Sequence, residues 1–377
     1  MSSDMFRAST VAVRGRTPPT DGATGAEADP FDALRGSECF RRLAVELTGR
    51  SVLVTGGTGF VGKWLLEARR AFASVATPPR MTVLARRPER LAAEHPRLAA
   101  EVDILAGDVR SLRPGDLRFD YIVHAANDTG PSVTADPGTA VSVIVEGTQR
   151  VFDLARRHPP RALLLLSSGA VYASRPVGGG ALAEEDDALA PPPTLPGAAY
   201  GNAKRLCETL AAVAGERDRL PVKIARLFSF AGEHLPLDDQ RAFGNLVRDA
   251  VAGEAVTLQG DGSAVRSYLY GADLALWLLA VLTAGAPLRP YNVGSDQAIT
   301  LRQLATRVAA RLSPGGALPV RCGSAGVATS SSYVPAIGRT RRELGVEVWT
   351  DLDTCIRRTG EYARHLQSKA SSCGGGS

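Results

Sequence analysis

Short, continuously apolar runs that alternate with helix-like stretches constrain the fold of this 377-residue chain more than any other feature. Strands that are apolar along their whole length are covered on both faces of a sheet. Alternation of such strands with helices through short connections predicts a parallel, doubly wound α/β sheet. The runs are SVLVTG (51–56), MTVLAR (81–86), VDILAGD (102–108), YIVHAA (121–126), ALLLLSSG (162–169) and VKIARLF (222–228), with RPYNVGS (289–295) as a further candidate; the helix-like segments are 62–73, 140–157 and 200–214.

Other segments do not follow this alternation. The first 37 residues are rich in Thr, Pro, Gly and Asp, which is typical of a disordered leader. Two later segments have mixed helix and strand character, so we expect them to form a smaller mixed α/β substrate-binding subdomain over the carboxyl ends of the strands. The expected division is a leader at 1–37, a sheet domain at 38–230 to which 271–296 returns, the subdomain at 231–270 and 297–366, and a flexible tail at 367–377.

Composition excludes several classes of protein. Residues 1–36 lack the apolar core of a signal peptide, and the most apolar run, 274–282, is too short to cross a bilayer. No basic stripe interleaved with aromatic residues occurs, so nucleic-acid binding is unsupported. We therefore expect a cytoplasmic protein without a metal site or a membrane contact. The cysteines are scattered, with the spacing of neither metal ligands nor a disulfide framework: Cys39, Cys207, Cys322, Cys355 and Cys373.

A glycine-rich turn, TGGTGFVG at 55–62, follows the first apolar run and precedes a helix-like segment. Glycines there let the chain turn sharply and let backbone N–H groups approach a pyrophosphate at the helix N-terminus. Any tight turn favours glycine, but the strand–turn–helix context at the start of an alternating α/β pattern predicts a dinucleotide site. Its candidate residues are Gly56, Thr58, Gly59, Phe60, Val61 and Gly62.

The end of the second run bears on the choice between NAD and NADP. An acidic residue there binds the adenosine ribose and favours NAD, whereas an arginine favours the 2′-phosphate of NADP. Here LARRP at 84–88 contains no acid, so Arg86 and Arg87 slightly favour NADP over NAD. The alternative is that both arginines are solvated turn residues.

Further cofactor contacts are expected where the third and fourth runs end. Asp108 ends the third run in GDV, where a carboxylate can bond the adenine amino group, and Val109 follows it. The fourth run ends with the small residues Ala125 and Ala126, past which a cofactor can lie close. His124, just before them, is interpreted as structural.

A serine, a tyrosine and a lysine form the candidate catalytic set. Ser168 stands at the end of the fifth run in SSGAVY, and Tyr200 and Lys204 open a helix-like segment in YGNAK. Four residues of separation place Tyr200 and Lys204 on one helix face, where the ammonium lowers the pKa of the phenol. Tyr200 can then remove a proton from a substrate hydroxyl as hydride leaves the same carbon, while Ser168 holds the oxygen.

Together these motifs resemble the extended short-chain dehydrogenases, the NAD-dependent epimerase/dehydratase family. TGGTGFVG, GDV, SSGAVY, YGNAK and GDGSAVRSYLYGADLA occur in the family's order between residues 50 and 360. The resemblance implies a Rossmann domain and a smaller C-terminal domain that grips a nucleoside-diphosphate sugar. It also implies Ser168, Tyr200 and Lys204 as the catalytic set, Ser168 being preferred by the family's S-x-x-V-Y pattern.

The resemblance implies substrate contacts and an assembly as well. Arg266 matches the arginine that contacts the sugar nucleotide's diphosphate, a role suited to a bidentate guanidinium. Asn245 in GNLVRD matches a position that lines the nucleotide pocket. The family often forms homodimers through the helices that correspond to 140–157 and 200–214.

Three departures from the family pattern matter. Sugar-nucleotide 4,6-dehydratases have an acidic pair after the serine, where this chain has Gly169 and Ala170. Decarboxylating relatives have a glutamate at the position of Ala170. The acid that usually follows the second strand is also missing, which puts the family's NAD preference in doubt.

The residues favour one function and leave others open. An epimerase, acting at C4 by family precedent, needs only Tyr200, Ser168, Lys204 and a retained cofactor. An NADPH-dependent reductase of a nucleotide-linked 4-keto sugar uses the same residues and is favoured by Arg86 and Arg87. A 4,6-dehydratase ranks third. A dinucleotide sensor or scaffold is the non-enzymatic alternative, and an intact Tyr-x-x-x-Lys argues against it.

Overall fold

A computed structural model describes residues 29–127, 136–173, 175–176, 190–239, 241–313, 315–316, 318–324 and 331–373. The strands, in chain order, are β1 Ser51–Thr55, β2 Arg80–Ala85, β3 Asp103–Ala106, β4 Tyr121–His124, β5 Ala162–Ser168, β6 Arg175–Pro176, β7 Val222–Leu227, β8 Phe230–Ala231, β9 Val256–Leu258, β10 Val265–Arg266, β11 Leu269–Tyr270, β12 Pro290–Val293, β13 Ile299–Thr300, β14 Val320–Cys322 and β15 Ser331–Tyr333. The helices are α1 Glu38–Glu46, α2 Phe60–Phe72, α3 Pro88–Glu94, α4 Pro96–Ala100, α5 Pro137–Arg157, α6 Ala199–Asp218, α7 Ala242–Val251, α8 Gly271–Ala284, α9 Leu301–Leu312, α10 Gly338–Leu344 and α11 Leu352–Cys373.

Seven of these strands form one parallel sheet in the order β12-β7-β5-β4-β1-β2-β3. Each of the seven apolar runs contributes one strand, so the predicted doubly wound parallel sheet is confirmed. Strand order reverses between β1 and β4, and ligands of open α/β sheets bind outside the carboxyl ends of the strands at such a point.

The continuous apolarity of the strands follows from helices on both faces. Along β5, Leu164 and Leu166 pack into the core that contains α1, α2 and α8, whereas Leu163 and Leu165 pack against α5 and α6. Helix α8 is buried all round, which explains the apolar run at 274–282. Across the part of the chain that the structure describes, no helix combines the length and apolarity that crossing a bilayer requires.

The segments outside the repeat form a second layer of structure over the carboxyl ends of the strands. It contains a four-stranded sheet, β13-β10-β15-β6, two further strand pairs, β11-β8 and β14-β9, and the helices α7, α9 and α11. Strand β10 pairs antiparallel with β13 and parallel with β15, so the small sheet is mixed. It carries Arg266 and Tyr333 side by side.

Both predicted ends of the ordered region need correction. Phe31 and Leu34, placed in the leader, are buried, and the Phe31 ring centroid lies 6.3 Å from that of Trp64. The prediction of disorder rests on the average composition of this polar, Pro- and Gly-rich stretch, which does not reveal that two of its apolar residues are buried. At the other end α11 continues to Cys373, so residues 367–373 of the predicted tail are helical. The rest of the leader and of the tail lies outside the described residues.

Candidate active site

A cavity of about 600 Å³ opens where the sheet meets the smaller layer. One wall is the turn after β1, and the opposite wall comes from β10, β15 and the N-terminal end of α7. Volumes of this size are typical of small-molecule sites at the switch point of an α/β sheet. The predicted site residues that line it are Gly56, Gly59, Phe60, Val61, Gly62, Ala125, Ser168, Tyr200, Lys204 and Arg266.

The glycine turn has the backbone geometry that a dinucleotide requires. Gly56 has a φ of +73°, and a Cβ there would lie 2.7 Å from the carbonyl oxygen of Ala125. Gly59 is the N-cap of α2 and supplies no side-chain cap, so the first N–H groups of the helix are left for another acceptor. Free N–H groups and the positive end of the helix dipole at a cavity wall suit a pyrophosphate, so the residues present fit a nicotinamide dinucleotide.

Several predicted cofactor residues lie elsewhere. Asp108 caps the turn after β3 and forms an ion pair with Arg110 at 3.0 Å, which holds the pKa of the carboxyl below its usual value. Val109 is buried in the core beside Gly147 of α5 and therefore packs rather than lining the cavity. Arg86 is exposed after β2. The predicted cofactor residues that do not line the cavity are Thr58, Arg86, Asp108, Val109 and Ala126.

The three candidate catalytic side chains converge in the cavity. Lys204 is buried, its Nζ donates to the carbonyl oxygen of Leu166 at 2.7 Å, and burial lowers its pKa to about 8. Its Nζ lies 5.9 Å from the centroid of the Tyr200 ring. Burial raises the pKa of Tyr200, while the Ser168 hydroxyl and the charge of Arg241 act in the opposite direction. The phenol thus has a lysine, a serine and an arginine as its polar surroundings.

His124 has the structural position that sequence reasoning gave it. It is buried, its Nδ1 lies 2.8 Å from Thr55 Oγ1, and its Nε2 lies 3.1 Å from Thr148 Oγ1. Burial lowers its pKa to about 3, with the charge of Lys204 contributing. A neutral imidazole between two hydroxyls ties β4 to β1 and α5 and does not reach the cavity lining.

Tyr333 is a cavity residue that the sequence did not indicate. It follows Ser332 on β15, pairs in register with Arg266 of β10, and its hydroxyl donates to the carbonyl oxygen of Leu227 at 3.3 Å. Burial raises the pKa of Tyr333, and the nearby Ser168 hydroxyl opposes this rise. The ring lies 4.7 Å from the Phe228 ring, centroid to centroid. The candidate serine therefore has two phenols around it, Tyr200 and Tyr333. A lone tyrosine in a Ser-rich stretch, on a three-residue strand, carries no sequence signal for this placement.

Arg241 is a second residue that sequence reasoning missed. It precedes α7, forms an ion pair with Asp239, and both side chains line the cavity. The predicted Asn245 does not line the cavity; its amide donates to the carbonyl oxygen of Asp239 at 2.7 Å. Asn245 therefore fixes the loop that carries Asp239 and Arg241.

A side chain at Gly169 would force its neighbours to move in this arrangement. A Cβ there would lie 2.7 Å from both the Phe228 ring and the Tyr333 hydroxyl. The sequence lacks the acidic pair expected of a dehydratase, and a side chain at this position would require Phe228 and Tyr333 to move. Within the described residues, no three His, Cys, Asp or Glu side chains are grouped so that they could hold a metal ion.

Comparison with known proteins places this geometry in a family. The family model "NAD dependent epimerase/dehydratase family" matches residues 52–294. UDP-glucuronic acid decarboxylase 1 of Xenopus tropicalis is 26% identical over 316 residues, covering 84% of this chain and 72% of the relative. The decarboxylase 1 of Danio rerio is 28% identical over 257 residues, covering 68% of this chain and 59% of the relative.

Solved structures share the fold. An epimerase from Methanothermobacter thermautotrophicus superposes with a TM-score of 0.73 at 21% identity, covering 91% of this chain and 98% of the other. UDP-glucuronic acid 4-epimerase from Bacillus cereus, solved with UDP-glucuronic acid and NAD, has a TM-score of 0.69 at 20% identity, covering 84% and 99%. With the family model spanning most of the chain, the protein belongs to the NAD-dependent epimerase/dehydratase family of enzymes that act on nucleotide sugars.

Proposed function

We propose that the protein is a nucleotide-sugar epimerase that inverts C4 through transient oxidation and re-reduction. The observation that carries this proposal is the convergence of Ser168, Tyr200 and Lys204 in one cavity with the glycine turn. A nicotinamide dinucleotide held along 56–62 would accept hydride from the sugar carbon and return it. Arg266, which also lines the cavity, would bind the diphosphate of the sugar nucleotide.

The side chains divide the proton chemistry among them. Tyr200 takes the proton of the sugar hydroxyl as the carbon is oxidised and gives it back on reduction. Lys204 stabilises the phenolate form of Tyr200, and Ser168 bonds the reacting oxygen. Inversion also requires the keto sugar to present its other face to the dinucleotide before hydride returns.

Arg241 supports a substrate that carries a carboxylate. The positive charge of Arg241 opposes the rise in the pKa of Tyr200 that burial causes. Although Arg241 pairs with Asp239, its side chain is still 45% exposed, so part of the guanidinium can bind a ligand. A sugar with a carboxylate one carbon beyond the ring, as in a uronic acid, could pair with it. The relatives named for UDP-glucuronic acid are consistent with this substrate class.

A uronic acid offers two outcomes after oxidation at C4. The product is a β-keto acid, which can lose carbon dioxide or keep its carboxylate until hydride returns. We favour retention because Ala170 stands where decarboxylating relatives have a glutamate. Decarboxylation, the reaction of the curated relatives, is the competing outcome.

Incubation with UDP-glucuronic acid separates these outcomes. We expect a product of unchanged mass whose C4 proton coupling in NMR shows inversion, and no such product with the Tyr200→Phe variant. A product lighter by carbon dioxide would show that the reaction is decarboxylation rather than epimerisation. An unchanged substrate, together with turnover of neutral UDP-sugars, would remove the carboxylate assignment and keep the epimerase.

An NADPH-dependent reductase of a 4-keto sugar is the second candidate because Arg86 and Arg87 are exposed at the end of β2. Protein purified without added cofactor and then denatured should release near-stoichiometric dinucleotide if it is an epimerase. An empty protein that binds NADPH reversibly would favour the reductase. Arg86→Ala should weaken NADPH binding more than NADH binding, and an equal effect would remove the 2′-phosphate contact.

A further inference from the structure

Helix α6 carries a third side chain in line with Tyr200 and Lys204. Glu208 follows Lys204 by one helical turn, so the three positions form a stripe on the helix face toward the sheet. Its carboxylate accepts from Ser167 Oγ at 2.5 Å and from Arg226 at 2.9 Å and 2.6 Å. The carboxylate thus joins α6 to two neighbouring strands, β5 and β7.

The Arg226 guanidinium extends the network further across the sheet. Its third nitrogen donates to the Tyr172 hydroxyl at 2.9 Å, which donates to Asn292 Oδ1 at 3.0 Å. Ser167, Arg226 and Asn292 are aligned in register on β5, β7 and β12. The Glu208 and Arg226 side chains are each only 14% exposed, so their pairing is shielded from water. The network joins α6 to three strands of the sheet.

We propose that Glu208 and Arg226 are positioning residues that set α6 against β5, so that Tyr200 and Lys204 meet Ser168 in the cavity. The proposal rests on the proposed catalytic role of those three residues. Ser167, which Glu208 binds, is the direct chain neighbour of Ser168. A change in the position of the Glu208 carboxylate therefore moves Ser168 and α6 relative to each other. Neither residue of the pair contacts the reacting atoms.

Glu208 and Arg226 also determine the electrostatic environment of Lys204. The titratable or charged groups that face Lys204 are His124 on β4, Tyr200, Cys207 and Glu208 on α6, and Arg226 behind Glu208. Glu208 opposes the lowering of the Lys204 pKa that burial causes. Loss of the carboxylate removes the negative charge that faces Arg226, and loss of the guanidinium removes the positive charge that faces Glu208.

Opposite shifts of the pH profile follow from this arrangement. We expect kcat to depend on pH with a bell-shaped profile. In Glu208→Gln the positive charge of Arg226 is no longer offset by Glu208, which lowers the pKa of both Lys204 and Tyr200. The profile therefore moves to lower pH by about one unit. In Arg226→Gln the negative charge of Glu208 remains without the guanidinium, so the profile moves to higher pH. Glu208→Asp keeps the charge but shortens the reach, so kcat falls roughly tenfold or more, as expected for a misplaced catalytic group, with the profile unmoved.

The measurements use the full chain with NAD and UDP-glucuronic acid. Asp218→Asn is the matched control, since it removes an ion pair of α6 to Arg156 of α5 far from the cavity and should leave kcat and the profile unchanged. Phenolate absorbance of the NAD-bound protein, taken as the difference from the same protein with Tyr200→Phe, reports the Tyr200 pKa without any sugar. A failure of the proposed function is thus distinguishable from a failure of the positioning role.

Two results would overturn the proposal. One is wild-type kcat and pH profile in folded Glu208→Gln and Arg226→Gln proteins. The other is a shift of the two profiles, and of the two phenolate titrations, in the same direction. If Glu208→Gln does not fold, Glu208→Asp and Ser167→Ala carry the test. Wild-type kcat in both of these would equally end the positioning role, and reduced kcat at unchanged KM supports it.

Discussion

Tyr200 is the residue whose loss tests the chemistry most directly. We expect Tyr200→Phe to lower kcat by about 10²–10⁴-fold, the usual contribution of a positioned proton donor or acceptor. Only the hydroxyl is lost, and the ring that packs in the cavity wall remains, so cofactor affinity should stay near that of the wild type. Steady-state kinetics and a dinucleotide titration check both expectations. Full activity would remove Tyr200 from the mechanism.

At the residue scale, the site residues that the sequence predicts are those with a local signature. Ser168, Tyr200 and Lys204 were predicted because each ends or opens an element, and the structure places all three at the cavity. Arg241 and Tyr333 were missed because they come from a loop and a three-residue strand without periodicity. The placement of Tyr333 depends on a chain segment more than 60 residues away, through the pairing of β15 with β10. No local pattern encodes such a contact.

The elements show the same division. The seven strands of the parallel sheet were predicted because burial on both faces makes a strand apolar throughout, which is visible in sequence. The small mixed sheet β13-β10-β15-β6 was not resolved into strands, because its members have two or three residues each. Segments of that length are stabilised by pairing rather than by their own pattern.

The turn that follows β5 gives an element-scale prediction. In Gly169→Ala the added methyl would meet the Phe228 ring and the Tyr333 hydroxyl at 2.7 Å. We expect a loss of about 1–3 kcal/mol in the free energy of unfolding, as for other overpacked sites. Because Tyr333 must move away from Ser168, kcat should fall as well. Urea denaturation and steady-state kinetics measure the two effects.

Gly197 provides the matched control for this substitution. A Cβ at Gly197 meets no atom within 4 Å, so Gly197→Ala should leave both stability and kcat near the wild-type values. Equal stability of Gly169→Ala and Gly197→Ala would show that the turn can relax away from Phe228 and Tyr333. The exclusion of an acidic side chain after Ser168 would then rest on sequence alone.

At the scale of the whole molecule, the outer face of α6 gives a prediction about assembly. Leu206 and Val213 lie one above the other on α6 and are 45% and 47% exposed. We propose a homodimer in which these faces meet, together with α5, because burial of exposed apolar side chains favours association. Leu206→Glu should shift the protein to monomer in sedimentation, whereas Val75→Glu, at a 50% exposed site outside α6, should not. A monomeric wild type would rule out the dimer.

Two histidines make the stability of the whole molecule depend on pH. Burial and the charge of Lys63 lower the pKa of His95 to about 4, and burial lowers that of His124 to about 3. Unfolded histidine titrates near pH 6.5. Below that pH the unfolded chain therefore binds protons that the folded protein excludes, and the free energy of unfolding falls. Above about pH 7.5, one unit beyond the unfolded pKa, both rings are neutral in both states and this contribution to pH dependence vanishes.

We expect these two histidines to lower the free energy of unfolding by on the order of 2–4 kcal/mol between pH 7 and pH 5, less than the pKa values alone imply because His95 is partly exposed. Asp273, whose pKa burial raises to about 6, takes up its proton more readily in the folded protein and offsets part of this fall. His95→Gln should reduce this fall measurably, since the ring that lies 3.3 Å from Lys63 Nζ can no longer be protonated on unfolding. Urea unfolding at a series of pH values gives these slopes. A slope in His95→Gln equal to that of the wild type would mean that His95 binds its proton as readily in the folded protein as in the unfolded chain.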